Sequence, residues 1–396
     1  MRSRSRFKTL AVGIGLPALA GVLVMVLLLG SSGDRDGQEP ASGGSRGTPA
    51  LGRASAAASP TVAVVWGLED ARPAARRLAR HDVVESTTVV RRGAALLTSA
   101  GRSDGRTVER VRRGFAIPLD VVSVDPSEYA ATVPRAVRRR VTGLRPGEAL
   151  LSRTSARLRR IDTGGALRLA DGRRLRVAGV LPDALVQFAE LLVGDSERMP
   201  SARDSVLAVL GEGSSVGAAE LARAAGGDAR ARLLAPSNAS AAVPRGPARP
   251  AELKARFGEP AVALPYGDDW VRLESGFLRR NIRSVRVPIL GTVSCHREMI
   301  APLRAAMGEL VSRGLGGLVD RDDYAGCYAP RRIRPGGALS LHAWGLAVDL
   351  NASANPHGGR SAQDRRLVRT MERHGFSWGG NFPTRPDPMH FEFRGR

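Results

Sequence analysis

The amino-acid sequence predicts an α+β chain in three parts: an N-terminal transmembrane helix, a separate mixed α/β domain, and a C-terminal α+β unit. Three observations carry that reading. An uncharged apolar run extends from Leu10 to Gly30, strand-like and helix-like segments alternate from Pro60 to Leu234, and a helical repeat stands beside alternating strands after Phe257. The 396 residues and 43% hydrophobic content are enough for more than one core.

Arg2, Arg4, Arg6 and Lys8 precede the apolar run. About 20 helical residues span a bilayer core of roughly 30 Å, and a basic flank stays on the cytoplasmic side. Residues 1–8 are therefore expected as a basic tail and 9–30 as a signal anchor. The bulk of the chain is then outside the cell membrane, single-pass, or secreted if the segment is instead a cleaved signal. Residues 31–59 are rich in Gly, Ser, Ala and Asp and read as a tether.

The formal charge of +22 invites a nucleic-acid partner. Lysine, however, occurs only at Lys8 and Lys254, and aromatic residues make up 4%. An arginine bias of that kind follows from a GC-rich genome, and stacking platforms for bases are not evident. No nucleic acid is expected. If the charge has a partner, anionic polymers of a bacterial envelope fit it best.

Residues 60–234 are expected as a mixed α/β extracytoplasmic domain. Thr61 to Trp66 reads as a buried strand, Ala71 to Ala79 as an Arg-rich helix, Val83 to Leu97 as one or two strands, and Pro126 to Val141 as a helix. Leu167, Leu169, Leu175 and Val177 flank Asp171-Gly172, a hairpin turn pair. Leu175 to Leu181 resembles part of the extracytoplasmic domain of certain ABC-transporter permeases. The domain reads as a positioning module with a possible envelope protein partner. Residues 235–256, with their prolines, read as a linker.

In residues 257–396, Ile282 to Leu290 alternates as a strand. Met299, Ile300, Leu303, Met307, Leu310 and Val311 repeat at helical spacing, predicting a helix over 298–313 that packs on a sheet. Leu367, Val368 and Met371 predict a second helix. Gly345 to Leu350 reads as a strand with Asp349 beside the small residues Gly345 and Ala347, and His342 just before it. Pro386 and Pro388 forbid a helix through Asp387, so His390 and Glu392 share one face of a short strand. Two histidines and an aspartate leave a fourth zinc position open for water, as in catalytic sites. Zinc lowers the pKa of such a water, and a further carboxylate can act on it as general base.

Ser340-x-His342-x-x-Gly345-x-Ala347-x-Asp349, followed by Asp387-x-x-His390-Phe-Glu, resembles the zinc peptidases that include VanY-type D-alanyl-D-alanine carboxypeptidases and L-alanyl-D-glutamate endopeptidases. Pro288-Ile-Leu-Gly291, Cys295-His-Arg297, Gly326-Cys-Tyr328, Arg332-x-Arg334 and Trp378-Gly-Gly380 extend the similarity over the C-terminal third. The resemblance implies a D-Ala-D-Ala-peptidase-like (hedgehog-type) fold, a small antiparallel sheet flanked by helices. It implies Zn2+ on His342, Asp349 and His390, and Asp387 as catalytic carboxylate. Substrate contacts are expected from Arg332 or Arg334, with Ser340 and Trp378, and peptidoglycan peptides as the partner. Carboxypeptidase members commonly carry Glu where this chain has Asp387, which tilts the expectation towards the endopeptidase branch. The alternative is a non-catalytic zinc module that binds peptidoglycan. Cys295 and Cys327 are expected to pair in an oxidising compartment, the competing reading being two buried thiols. His296, His357 and His374 are expected to be structural or surface residues.

Overall fold

A computed structural model describes residues 60–197, 203–234, 250–265, 269–333, 338–382 and 386–395. The expected anchor (9–30), the tether and most of the 235–256 linker lie outside the described residues. Among the described residues no helix is long and apolar enough to cross a membrane.

Ten strands come first: β1 (Thr61–Trp66), β2 (Val84–Gly101), β3 (Thr107–Arg110), β4 (Phe115–Val124), β5 (Glu148–Ser152), β6 (Ala166–Leu169), β7 (Arg174–Leu181), β8 (Leu191–Gly194), β9 (Arg203–Leu210) and β10 (Arg230–Leu234). Interleaved with them are α1 (Ala71–Leu78), α2 (Pro126–Tyr129), α3 (Arg135–Thr142), α4 (Arg153–Arg159) and α5 (Ala218–Ala225). The order β2-β6-β7-β5-β8-β4 closes on itself through a β2–β4 pairing, making a six-stranded barrel. Odd-numbered residues such as Leu97, Leu119, Leu151, Leu167, Val177 and Val193 fill its interior, as side chains fill small barrels. Even-numbered neighbours, Val122, Val124, Leu150 and Leu192, form a second core with Tyr129 and Val141 beneath α2 and α3. The long β2 leaves the barrel and pairs with β9, continuing to β1 and β10. Here α1 and α5 bury Ala71, Ala74, Leu78, Leu221 and Ala225.

The chain continues through α6 (Pro250–Phe257), β11 (Val262–Ala263), α7 (Ser275–Asn281), β12 (Ile282–Val287), β13 (Gly291–His296) and α8 (Arg297–Ser312). Then follow β14 (Tyr324–Gly326), α9 (Leu341–Trp344), β15 (Ala347–Leu350), α10 (Arg365–Arg373), β16 (Phe376–Trp378) and β17 (His390–Phe393). β12 and β13 form a hairpin, and β14-β15-β17-β16 a four-stranded antiparallel sheet. Met299, Leu303, Met307 and Leu310 of α8 and Leu367 and Met371 of α10 are fully buried in one core with Val348, Leu350 and Phe391.

The expected fold class is corrected. The chain's architecture is not a hedgehog-type peptidase fold beside a separate mixed α/β domain. Its largest feature is a predominantly antiparallel β body with a closed barrel, inside an eleven-stranded sheet. That sheet ends on β11, which pairs with β4 at Val262–Ala116. The sequence hid the barrel because β4 is buried on both faces, which erases the period-2 pattern. The closing partners are also remote, as in Leu97 against Leu169. The single helix expected over Pro126 to Val141 is two, broken at Pro134, which caps α3.

Candidate metal centre

The stretch that presents His342 is one turn of helix held at both ends. Ser340 Oγ accepts the His342 amide at 3.3 Å as N-cap. Gly345 stops the turn with φ of 69°, the left-handed conformation that glycine adopts without penalty. A Cβ there would lie 2.7 Å from the His296 nitrogen. The chain then enters β15, where Asp349 stands directly opposite His390 of β17, a cross-strand distance at which side chains interact. Gly379 closes the other side: a Cβ would lie 2.5 Å from the Asp387 carbonyl oxygen and 3.0 Å from His390 Cβ.

Three ligand atoms converge as a result. His342 Nε2 lies 3.1 Å from Asp349 Oδ2 and 3.1 Å from His390 Nδ1, and His390 Nδ1 lies 2.8 Å from Asp349 Oδ1. All three residues are buried. The remaining ring nitrogens have acceptors: His342 Nδ1 donates to the Cys327 carbonyl at 2.8 Å, and His390 Nε2 faces Glu392 Oε1 at 3.3 Å. Those acceptors select the tautomers that turn a lone pair from each ring towards Asp349, the arrangement of metal-ligating histidines. Glu392 is itself held by Arg394 Nε at 3.0 Å.

The electrostatics ask for a cation in the same place. Burial opposes charging of His390, but hydrogen bonds to Asp349 and Glu392 outweigh it and raise its pKa to about 10. Burial would likewise raise the Asp349 carboxyl, yet the two histidines hold it well below the usual range. A buried carboxylate between two imidazoles is a fitting ligand set for a divalent metal. Among the described residues, His342, Asp349 and His390 are a group able to hold one.

Asp387 lies on the turn into β17. Its amide donates to the Gly379 carbonyl at 2.9 Å, and its Oδ1 is buried without a hydrogen-bond partner. Burial pushes its carboxyl up, His390 pulls it down, and Asp349 adds to the rise. Trp378 Nε1 donates to the Pro388 carbonyl at 2.8 Å and so braces that turn. Arg332 is only 2% exposed, and Arg334 lies outside the described residues. The guanidinium adjoining the cluster belongs to Arg331, 39% exposed, with Nη2 4.0 Å from Asp349 Oδ2. Sequence reading passed over Arg331 because only its neighbours stand in the motif. It also passed over Tyr324, opposite Leu350 in the β14–β15 pair, whose phenol burial and the charge of Asp349 raise to about 12. His357 bears electrostatically on Asp387 and belongs to a loop whose Gly358 amide donates to Pro386. His296 is structural: its Nδ1 accepts the Glu298 amide and its Nε2 meets the Phe257 carbonyl. His374 pairs with Glu309 on α8 at 2.9 Å. Cys295 and Cys327 are joined in a disulfide with Cα atoms 5.5 Å apart, adjacent to the carbonyl that orients His342.

No curated protein matches this chain. Three solved structures align with less than half of it. The periplasmic region of MacB from Actinobacillus actinomycetemcomitans has a TM-score of 0.30 at 9% identity, with 44% of this chain and 90% of that one covered. A domain of a putative permease protein from Porphyromonas gingivalis has a TM-score of 0.28 at 15% identity, covering 46% and 90%. The extracellular domain of the noncanonic ABC-type transporter YknZ from Gram-positive bacteria has a TM-score of 0.27 at 14% identity, covering 44% and 100%. Likenesses this low carry no argument about the present chain. A family model does: residues 334–393, which contain all three ligands and Asp387, match the family described as D-alanyl-D-alanine carboxypeptidase, as the motif resemblance implied.

Proposed function

We propose that the C-terminal unit is a zinc-dependent metallopeptidase that hydrolyses peptidoglycan stem peptides. The observation that carries this reading is Asp387, a buried carboxylate without a hydrogen-bond partner at Oδ1, next to three convergent ligands but not one of them. A purely structural metal site has no use for such a group. Zinc, when bound by His342, Asp349 and His390, supplies Lewis acidity towards a water and a scissile carbonyl. Asp387 takes the proton from the attacking water and returns it to the leaving amine, a shuttle favoured by its raised pKa. Glu392 and the Cys327 carbonyl orient the two imidazoles. Arg331, half exposed beside Asp349, is placed to meet a substrate carboxylate or the oxygen that gains charge. The aspartate at 387 favours cleavage within the stem, L-Ala-D-Glu-type, over removal of a terminal D-Ala.

The chain is further proposed to sit in the cell membrane by residues 9–30 with its bulk outside. The barrel then holds the peptidase at the wall and offers a surface to an envelope protein. Mass spectrometry of purified muropeptides incubated with the zinc-loaded full chain tests the activity. The full chain is required because α6 and β11 pack on the barrel. Release of the stem from its sugar-linked Ala is the expected product. Loss of a terminal D-Ala would identify a carboxypeptidase, and unchanged muropeptides would overturn the enzyme reading in favour of a wall-binding module.

A further inference from the structure

Away from the histidine cluster, the end of α6, α7 and the start of β12 line an open hollow of about 450 Å3, within the size range of small-ligand sites. Its rim carries Arg279, Arg280, Arg283 and Arg297, all exposed. Its floor includes the buried Phe257 and Asn281. Arg283 is held in position, with Nη1 donating to the carbonyls of Arg279 at 2.8 Å and Ile282 at 2.9 Å. The carboxylate lining the cavity, Glu259, is already engaged by Arg159 and lies 3.5 Å from Lys254. Glu298 approaches Arg297 only to 3.9 Å. Asn281 is 6% exposed and lines the cavity. Guanidiniums crowded around one hollow, that of Arg256 among them, repel one another. An anionic guest relieves that cost.

We propose that this cavity binds a phosphate-bearing anion, a diphosphate or a phosphodiester group. Guanidinium forks match phosphate oxygens in bidentate pairs. Four of them, with the Asn281 amide beneath, offer more donors than the two oxygens of a single carboxylate accept. The site shares no residue with the metal centre, so it stands or falls apart from the peptidase reading.

Isothermal titration of the purified full chain with inorganic pyrophosphate and with a soluble glycerol-phosphate oligomer tests it. At least one probe is expected to bind, more weakly as salt rises. The Arg280→Gln/Arg283→Gln variant should lose roughly tenfold or more in affinity for that probe, as expected when charge-assisted contacts are removed. Asn281→Asp, which sets a negative charge in the floor, should lose affinity as well. Zinc content and muropeptide cleavage should be unchanged in the arginine variant, and Asp387→Ala should bind the probe like the native chain. Preference for pyrophosphate identifies a diphosphate guest, and preference for the oligomer a polymeric phosphodiester. Three results would overturn the proposal: no binding of either probe at millimolar concentration, native affinity in the arginine variant, or equal affinity for a simple dicarboxylate.

Discussion

Two buried polar clusters lie in this chain, and their difference separates a site from a clasp. In the first, His342, Asp349 and His390 bring three ligand atoms together, and the cation nearest them among the described residues is Arg331, 4.0 Å from Asp349. In the second, charges of both signs are matched. Arg159 of α4 donates to Glu190 at 2.8 Å and to Glu259. Lys254 of α6 reaches Glu190 at 2.6 Å and Glu259 at 3.5 Å. The Asp120 amide donates to Glu190 at 3.0 Å. Burial would raise the Glu190 carboxyl, but the two cations hold it below its ordinary value. This network, which Glu109 joins at 3.9 Å from Arg159 Nε, fastens α6 to the barrel. The histidine cluster is instead a group able to hold a metal ion. Burial and crowding of titratable groups are common to both, so the discriminating quantity is the internal balance of charge and protons.

The sharpest way to break the comparison is to remove the group that has a role in only one cluster. Asp387→Ala is expected to lower muropeptide hydrolysis by roughly 10²–10⁴-fold, the usual weight of a general base, with zinc still bound by atomic absorption. Equal cleavage by this variant and the native chain would remove Asp387 from the mechanism. His342→Ala should lose both metal and hydrolysis. In the clasp, Glu190→Gln leaves Arg159 and Lys254 buried without their shared partner. It should cost about 3–5 kcal/mol of stability, read by chemical denaturation, with zinc affinity unaltered. A coupled loss of zinc would show that the two clusters are not independent. Glu392→Gln probes the support of the first cluster and should weaken zinc binding by about 10–100-fold in a chelator competition, with little change in melting temperature.

The smallest effect is expected at Glu309, which joins α8 to α10 through Arg373 and His374 and also meets Arg313. Those hydrogen bonds lower its pKa to about 2. A depressed carboxylate contributes stability that is present above the unfolded value of roughly 4.3 and is lost as pH falls through the folded value. Glu309→Gln should therefore lower the melting temperature slightly at neutral pH, flatten its fall between those limits, and match the native chain below the folded value. An identical acid limb would assign the effect to other carboxylates.

Legibility followed the range of the interactions. His390 and Glu392 on one strand face, Asp349 beside small residues, and helices at α8 and α10 were all readable, because each depends on neighbours within a few positions. The α9 turn was not read, since four residues are too few for a periodic signal; Ser340 acts there as a cap for His342. Arg331 could not be chosen over Arg332 from sequence, because the two are adjacent and only packing decides which is buried. The β6–β7 hairpin of the barrel was readable, but the closure was not, because β4 is buried on both faces and the closing pairs lie tens of residues apart.

By itself the sequence determined the ligand types, their spacing and the extra carboxylate, because metal chemistry demands particular side chains and the motif holds them at short range. Only the tertiary structure decided which arginine adjoins the histidine cluster, that a closed β-barrel carries the peptidase-like unit, and that Lys254, one of two lysines, fastens them together. Those outcomes depend on which faces become buried against each other, and that is set by contacts between residues far apart in the chain.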